Sequence, residues 1–273
     1  MKELLKNKQI VIGGAIIVIL IAIAILAPVI TGGWDYAEMD NANKLLGPGS
    51  GHLLGTDAYG RDLWTRIAYG ARVSLLLSLL SVTVASVGGS ILGLLGGYLG
   101  GTVDLIIGRL IDIMMAFPAL LLSILLGTAL GTSMLSMCFT IGIPLIPSFY
   151  RSVRGITMTV RSRYFVKAAV SMGSGSGRIL LRHILPNALP QLFVMFSFNL
   201  GSAIMAESSL GFLGLGIPSP TPSWGLIINE GKGFIFSHPW IVASSGAMIA
   251  VTVLAFNILG DGLRDYLDPK LKK

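Results

Sequence analysis

A chain of 273 residues with 53% hydrophobic and 12% charged side chains carries about half the charge of an ordinary soluble domain, in which roughly a quarter of the residues are charged. A mean hydropathy of +0.79 and 35 glycines exclude a soluble globule and point to membrane helices, where glycine lets backbones approach closely. The single cysteine, Cys138, excludes an intrachain disulfide. The net charge of +7 does not indicate nucleic acid, because the basic residues flank apolar runs and form no soluble basic face.

A spanning helix needs about 20 mostly apolar residues, and five uncharged intervals qualify, with room for six spans. The first, Gln9 to Trp34, follows Lys2, Lys6 and Lys8. Its apolar run far exceeds the roughly 7–15 residues of a signal-peptide core, so it reads as a retained helix. Val73 to Val103 makes the second span. Ile113 to Tyr150 is long enough for two, with the break at Gly127, Gly131 and Thr132. Asn187 to about Met205 and Trp240 to about Leu259 make the fifth and sixth. The expected fold is all-α and polytopic, divided into a tail with the first helix (1–34), an outer loop with a surface helix (35–72) and a five-helix core (73–273). With the N-terminus inside, only Lys44, Arg61, Arg66, Arg72 and Lys232 fall outside and the other fifteen Lys and Arg fall inside, so both termini are expected in the cytoplasm.

On the outer side, Asp57 is read as the N-cap of a surface helix carrying Leu63, Trp64, Ile67 and Ala71. In the second span Ala85, Gly89, Gly93, Gly97 and Gly101 recur every fourth residue, a narrow groove into which another helix can pack. Arg109 is spaced to pair with Asp112 on one helix face.

The inner segment 151–186 holds seven Lys or Arg and no Asp or Glu. Within it, Val166, Lys167, Ala168, Ala169, Val170, Ser171 and Met172 can form a short helix that Gly173 ends as its C′ residue. Pro186 and Pro190 suit the start of the next helix. Glu207 closes the fifth span beside Ser208 and Ser209, and an acid at a membrane boundary faces protein or a water-filled path. Glu207, Ser208 and Asn199 are therefore candidates for a translocation path or outer vestibule, with capping of the following segment as Glu207's other role. Within the outer loop 206–239, the segment Ser208 to Gly233, with Pro218, Pro220 and Pro222, reads as a folded scoop or lid.

The sequence holds no phosphate-cradling G-x-x-x-x-G-K-[ST] loop, no H-E-x-x-H and no G-x-S-x-G turn. His52, His183, His238 and Cys138 are too scattered to form one metal site. A conduit is favoured over an enzyme, and these residues alone leave an importer subunit, a stand-alone channel or carrier, and a membrane scaffold open.

The run Lys167-Ala168-Ala169, then Gly173 and Leu185-Pro186, resembles the Glu-Ala-Ala loop of permease subunits of ATP-binding-cassette importers, with Lys167 where that family usually has Glu. Leu54 to Asp57, Gly60 to Asp62, Gly70 to Leu75, Arg182 to Asn187, Phe212 to Gly216, Pro222 to Gly225, and Asn257 to Asp265 with Asp268-Pro269 are similar to the peptide and nickel branch, in its second, C-type permease. The resemblance implies the type I importer permease fold and a coupling role for Val166 to Gly173. It implies a heterodimer with a homologous permease in membrane lipid, two cytoplasmic ATPase subunits that bind the ATP and Mg, and an extracytoplasmic binding protein. It also implies peptide import as the function, with nickel or a nickel chelate as the alternative, and no cofactor on this chain.

Overall fold

The computed structural model describes residues 7–49 and 51–267. Lys2, Lys6, Asp268, Pro269, Lys270, Lys272 and Lys273, used above for orientation and resemblance, lie outside the described residues. Helix α1 (Lys8–Ile30) starts where the Asn7 side chain accepts from the backbone of Gln9 and Ile10. Asn7 also donates to the carbonyl of Gly262, seating α1 on the last helix.

Helix α2 (Leu63–Leu99) runs unbroken for 37 residues, about 55 Å. The surface helix expected in 35–72 is therefore the first part of the second span. Its cap is Asp62, which accepts from the backbone N–H and the hydroxyl of Thr65 at 2.7 Å each, and not Asp57. The chain turns at Gly100, and Gly101 opens α3 (Gly101–Met115). Gly101 thus leaves the packing ladder.

Helices α3 and α4 (Ala119–Leu130) meet at 92°. Pro118 opens α4 and disfavours helical backbone at the residue before it. Helix α5 (Met134–Arg161) is capped by Ser133. The inner segment 151–186 is mostly helical, well beyond the one short helix expected there: the end of α5, then α6 (Tyr164–Ser171), α7 (Ser176–Ile179) and a π-helical stretch, Leu180–Ile184, leading into α8 (Leu185–Phe212). Helix α8 carries the expected fifth span seven residues past Met205. The segment 206–239 begins as helix and contains α9 (Trp224–Gly231), and α10 (Trp240–Leu267) closes the bundle.

Four helical stretches are long and apolar enough to cross a membrane, and counting the bent α3–α4 pair as one span gives five. The expected count of six is not confirmed: α5, which carries Arg151, Arg154 and Arg161 in its second half, is not among these helices.

At the centre α2 lies along α5, with α8, α10 and α1 beside them. The ladder explains this pairing. A methyl on Gly89 would stand 2.5 Å from Phe149 Cβ, and one on Gly97 would stand 2.8 Å from the Arg154 carbonyl. Ala85 is fully buried in the same row. Because lipid is as apolar as a leucine side chain, such close backbone contact, more than hydrophobic burial, holds membrane helices together. The main core joins Leu77, Val82, Phe149, Val153 and Leu210 from α2, α5 and α8, while Leu63, Ile67, Ile227 and Ile241 form a smaller cluster at the α9 end. Leu105, Ile106 and Leu110 on α3 and Leu121 and Leu125 on α4 are exposed, as lipid-facing or partner-facing helices are.

Candidate functional site

At one end of the bundle, α6 is stopped by a Schellman turn. Gly173 has φ +76, its N–H donates to the carbonyl of Val170, and the Ser174 N–H donates to that of Ala169. Val166 and Ala169 point into the protein, 1% and 3% exposed. The opposite face presents Tyr164 at 89% and Met172 at 79% exposure, with Ala168 between them at helical spacing. Lys167, Val170 and Ser171 are exposed beside this stripe. Ala168 and Met172 therefore share the outer face, and Ala169 does not. Between α6 and the membrane helices lies a cleft whose walls come from the end of α2, the end of α5 and α6 itself.

Above α6, Asp104 of α3 accepts two parallel hydrogen bonds from Arg154 of α5, at 2.5 and 2.6 Å. Asp112 lies 3.7 Å from Arg151, so the Arg109–Asp112 pair expected on one helix face is replaced by pairs between α3 and α5. The cross-helix partners win because α3 lies against α5, which places Arg151 and Arg154 beside the two acids.

At the other end, Glu207 is fully buried. Its Oε2 accepts from the hydroxyls of Ser74 at 3.1 Å and Ser208 at 3.3 Å. The backbone N–H of Trp224 donates to Ser74, the Trp224 indole donates to the Ile67 carbonyl, and Ser245 donates to the Trp224 carbonyl. These bonds fix the start of α9 between α2, α8 and α10. Glu207 and Ser208 thus face protein and not an open vestibule in this chain. Asn199 donates to the Met195 carbonyl of its own helix and lies about 12 Å along α8 from Glu207, so the structure does not bring the three together.

Next to this socket is a buried cluster of four charges. Glu230 Oε2 accepts from Arg61 and Arg66 at 2.7 Å each. Asp57 Oδ2 stands 2.6 Å from Arg61 and 3.4 Å from Arg66. Both arginines are at most 1% exposed, and two acids balance their charge. The sequence reading did not identify this cluster, the Asp104–Arg154 pair or the roles of Ser74 and Trp224. The one local signal was the i, i+4 spacing of Asp57 and Arg61. His52, on the same side, binds Asp62 at 2.8 Å, and Cys138 is buried in α5.

A sequence profile described as "binding-protein-dependent transport system inner membrane component" matches residues 89–273, and one described as "N-terminal TM domain of oligopeptide transport permease C" matches residues 1–48. The chain is 45% identical over 271 residues to the dipeptide transport system permease protein DppC of Alkalihalophilus pseudofirmus, covering 99% of this chain and 89% of that protein. It is 41% identical over 273 residues to the glutathione transport system permease protein GsiD of Pectobacterium atrosepticum, covering 99% and 90%. The GsiD protein of an Escherichia coli strain is 40% identical over 258 residues, covering 94% and 84%. The match extends from the first helix through the α6 turn to the last helix, and the chain therefore belongs to the inner-membrane permease family of binding-protein-dependent, ATP-binding-cassette importers.

Proposed function

We propose that this permease forms half of the path by which an ATP-binding-cassette importer brings short peptides into the cell. The other half is a homologous permease, an extracytoplasmic binding protein delivers the substrate, and two ATPase subunits bind the ATP and Mg on the cytoplasmic side, where both termini of this chain lie. The relatives named above are dipeptide and glutathione permeases. Glutathione is itself a short peptide, which favours peptide over nickel.

The observation that carries the coupling part of this reading is α6. It is an eight-residue helix held by Val166 and Ala169 and stopped at Gly173, with a bare outer stripe of Tyr164, Ala168 and Met172. A helix that short is not stable alone, so it is held by its inner face and by its seat on the bundle. Its outer face is free to dock on an ATPase subunit and to carry that subunit's movement to α5 and α2.

The test is co-purification of ATPase subunits with the tagged permease, with peptide uptake measured in reconstituted complexes. Met172→Asp places a charge at the exposed end of the stripe without disturbing the buried face. It is expected to remove ATPase binding and uptake together while the permease still folds. Retained binding and uptake in that variant would refute the coupling assignment. Uptake of nickel but not of labelled dipeptides by the wild-type complex would refute the substrate class.

A further inference from the structure

Between the end of α2 and helix α6 lies a cleft of about 530 Å³ lined by Tyr98, Leu99, Arg161, Lys167 and Ser171, among others. Arg161 and Lys167 also line a second cleft of about 350 Å³. No carboxylate stands within ion-pair distance of either cation among the described residues. Asp104, which lines the second cleft, has both oxygens engaged by Arg154. Arg161 lies over the Tyr98 ring at 5.6 Å and Lys167 lies 5.8 Å from the Tyr164 ring. The aromatic faces steady the two side chains but leave their charge uncompensated.

Two like charges facing one cleft repel each other, and an anion between them removes the repulsion. The cleft adjoins the bare stripe of Tyr164, Ala168 and Met172. Apolar centre and charged rim together have the anatomy of a protein interface. A single protein partner seated on the stripe would reach the cleft in the same contact, whereas a lipid headgroup would fill the cleft and leave the stripe bare.

We propose that the partner of α6 places an Asp or Glu side chain between Arg161 and Lys167, and that this polarity selects which ATPase subunit the permease accepts. This rests on the coupling reading of α6 given above. Charged rim contacts act chiefly on association rate and on rejection of wrong partners. A permease with an acid at position 167 would repel the ATPase surface that fits this one.

The experiment uses the permease complex in discs of zwitterionic lipid and the ATPase subunits that co-purify with it. Binding is measured from about 50 mM to about 500 mM salt, a range over which screening of exposed charges changes strongly. Lys167→Glu and Arg161→Glu are expected to weaken binding on the order of tenfold at low salt and to flatten its salt dependence. Carbodiimide, which joins an amine to a carboxylate as an amide with loss of water, is expected to link Lys167 to an Asp or Glu of the ATPase. Both variants sit on exposed positions, and their melting temperatures check that the fold is unchanged.

If Lys167→Glu binds as the wild type does at every salt while Met172→Asp abolishes binding, the acidic contact is overturned and the coupling surface stands. If Met172→Asp also binds normally, both fail. If the wild type binds in anionic discs and not in zwitterionic ones, and no Lys167 crosslink forms, the cleft holds a lipid phosphate and the proposal is overturned.

Discussion

Asp104 and Arg154, fifty positions apart, close on each other through two parallel hydrogen bonds of 2.5 and 2.6 Å. This is the fork geometry that makes Arg–carboxylate pairs stronger than single ionic contacts. The pair fastens the start of α3 to α5, and the Tyr150 hydroxyl lies 3.4 Å from the same carboxylate. Asp104→Asn keeps the shape and loses the charge. It is expected to cost on the order of 1–2 kcal/mol, since the group is only partly shielded from water. Thermal unfolding in lipid discs, run as a double-mutant cycle with Arg154→Gln, reads the coupling directly. Additive losses would show that the pair contributes nothing beyond its separate parts.

The ladder on α2 makes a sharper contrast. Gly89→Ala would place a methyl 2.5 Å from Phe149 Cβ and 2.8 Å from the Ile146 carbonyl, so two helix backbones would have to separate. A cost of about 1–3 kcal/mol follows from overpacking. Gly155 on α5 has nothing within 4 Å of its would-be methyl, and Gly155→Ala is expected to be neutral or slightly stabilising. Paired melting curves test both, and equal losses at the two positions would contradict the backbone-contact account.

The four-charge cluster is exposed at most 14% at any member. Removing one acid leaves an arginine buried without its counter-charge, a change that costs about 3–5 kcal/mol in buried pairs. Glu230→Gln is therefore expected to loosen α9 from the start of α2. Limited proteolysis should then cut the outer segments near Asp57 and after Phe212 sooner than in the wild type. An unchanged cleavage pattern would mean that the apolar contacts of Leu63, Ile67, Ile227 and Ile241 hold this end without help.

What could be read from the sequence is what short range determines. The α6 helix and its stop depend on nine consecutive residues and one glycine with positive φ, and the helical ladder depends on a spacing of four. The break before α5 came at Gly131, as the local composition indicated. What could not be read depends on distant partners. Ser74 meets Glu207 across 133 positions, and Arg61 meets Glu230 across 169. Competition between near-identical signals also misled. Both Asp57 and Asp62 could cap a helix, but Asp57 is held by the backbone N–H groups of Tyr59 and Arg61 and by the Arg61 side chain. Asp62 is left to bind Thr65 and start α2. Gly101 kept the ladder's spacing but lies past the turn at Gly100, so periodicity alone carried it one step too far.

Arg72 of α2 donates through Nε to the carbonyl of Ala24 and through Nη2 to that of Ile25, the latter at 2.8 Å. Position 28, whose N–H would normally bind the Ala24 carbonyl, is a proline and has no N–H to give. Within the hydrocarbon region a carbonyl left without a partner costs free energy that no water repays, so Arg72 supplies from a neighbouring helix what Pro28 withholds. Arg72→Leu is expected to destabilise the bundle by about 1–3 kcal/mol, the usual cost of an unsatisfied buried group. Pro28→Ala restores the intrahelical donor. In that background Arg72→Leu should cost clearly less, so the double variant should be more stable than the sum of the two single changes predicts. Melting temperatures of the four proteins in the same lipid decide the matter. Equal losses for Arg72→Leu with and without Pro28 would mean that Arg72 acts through its stacking on Tyr69, 5.0 Å away, and not through the carbonyl that Pro28 leaves open.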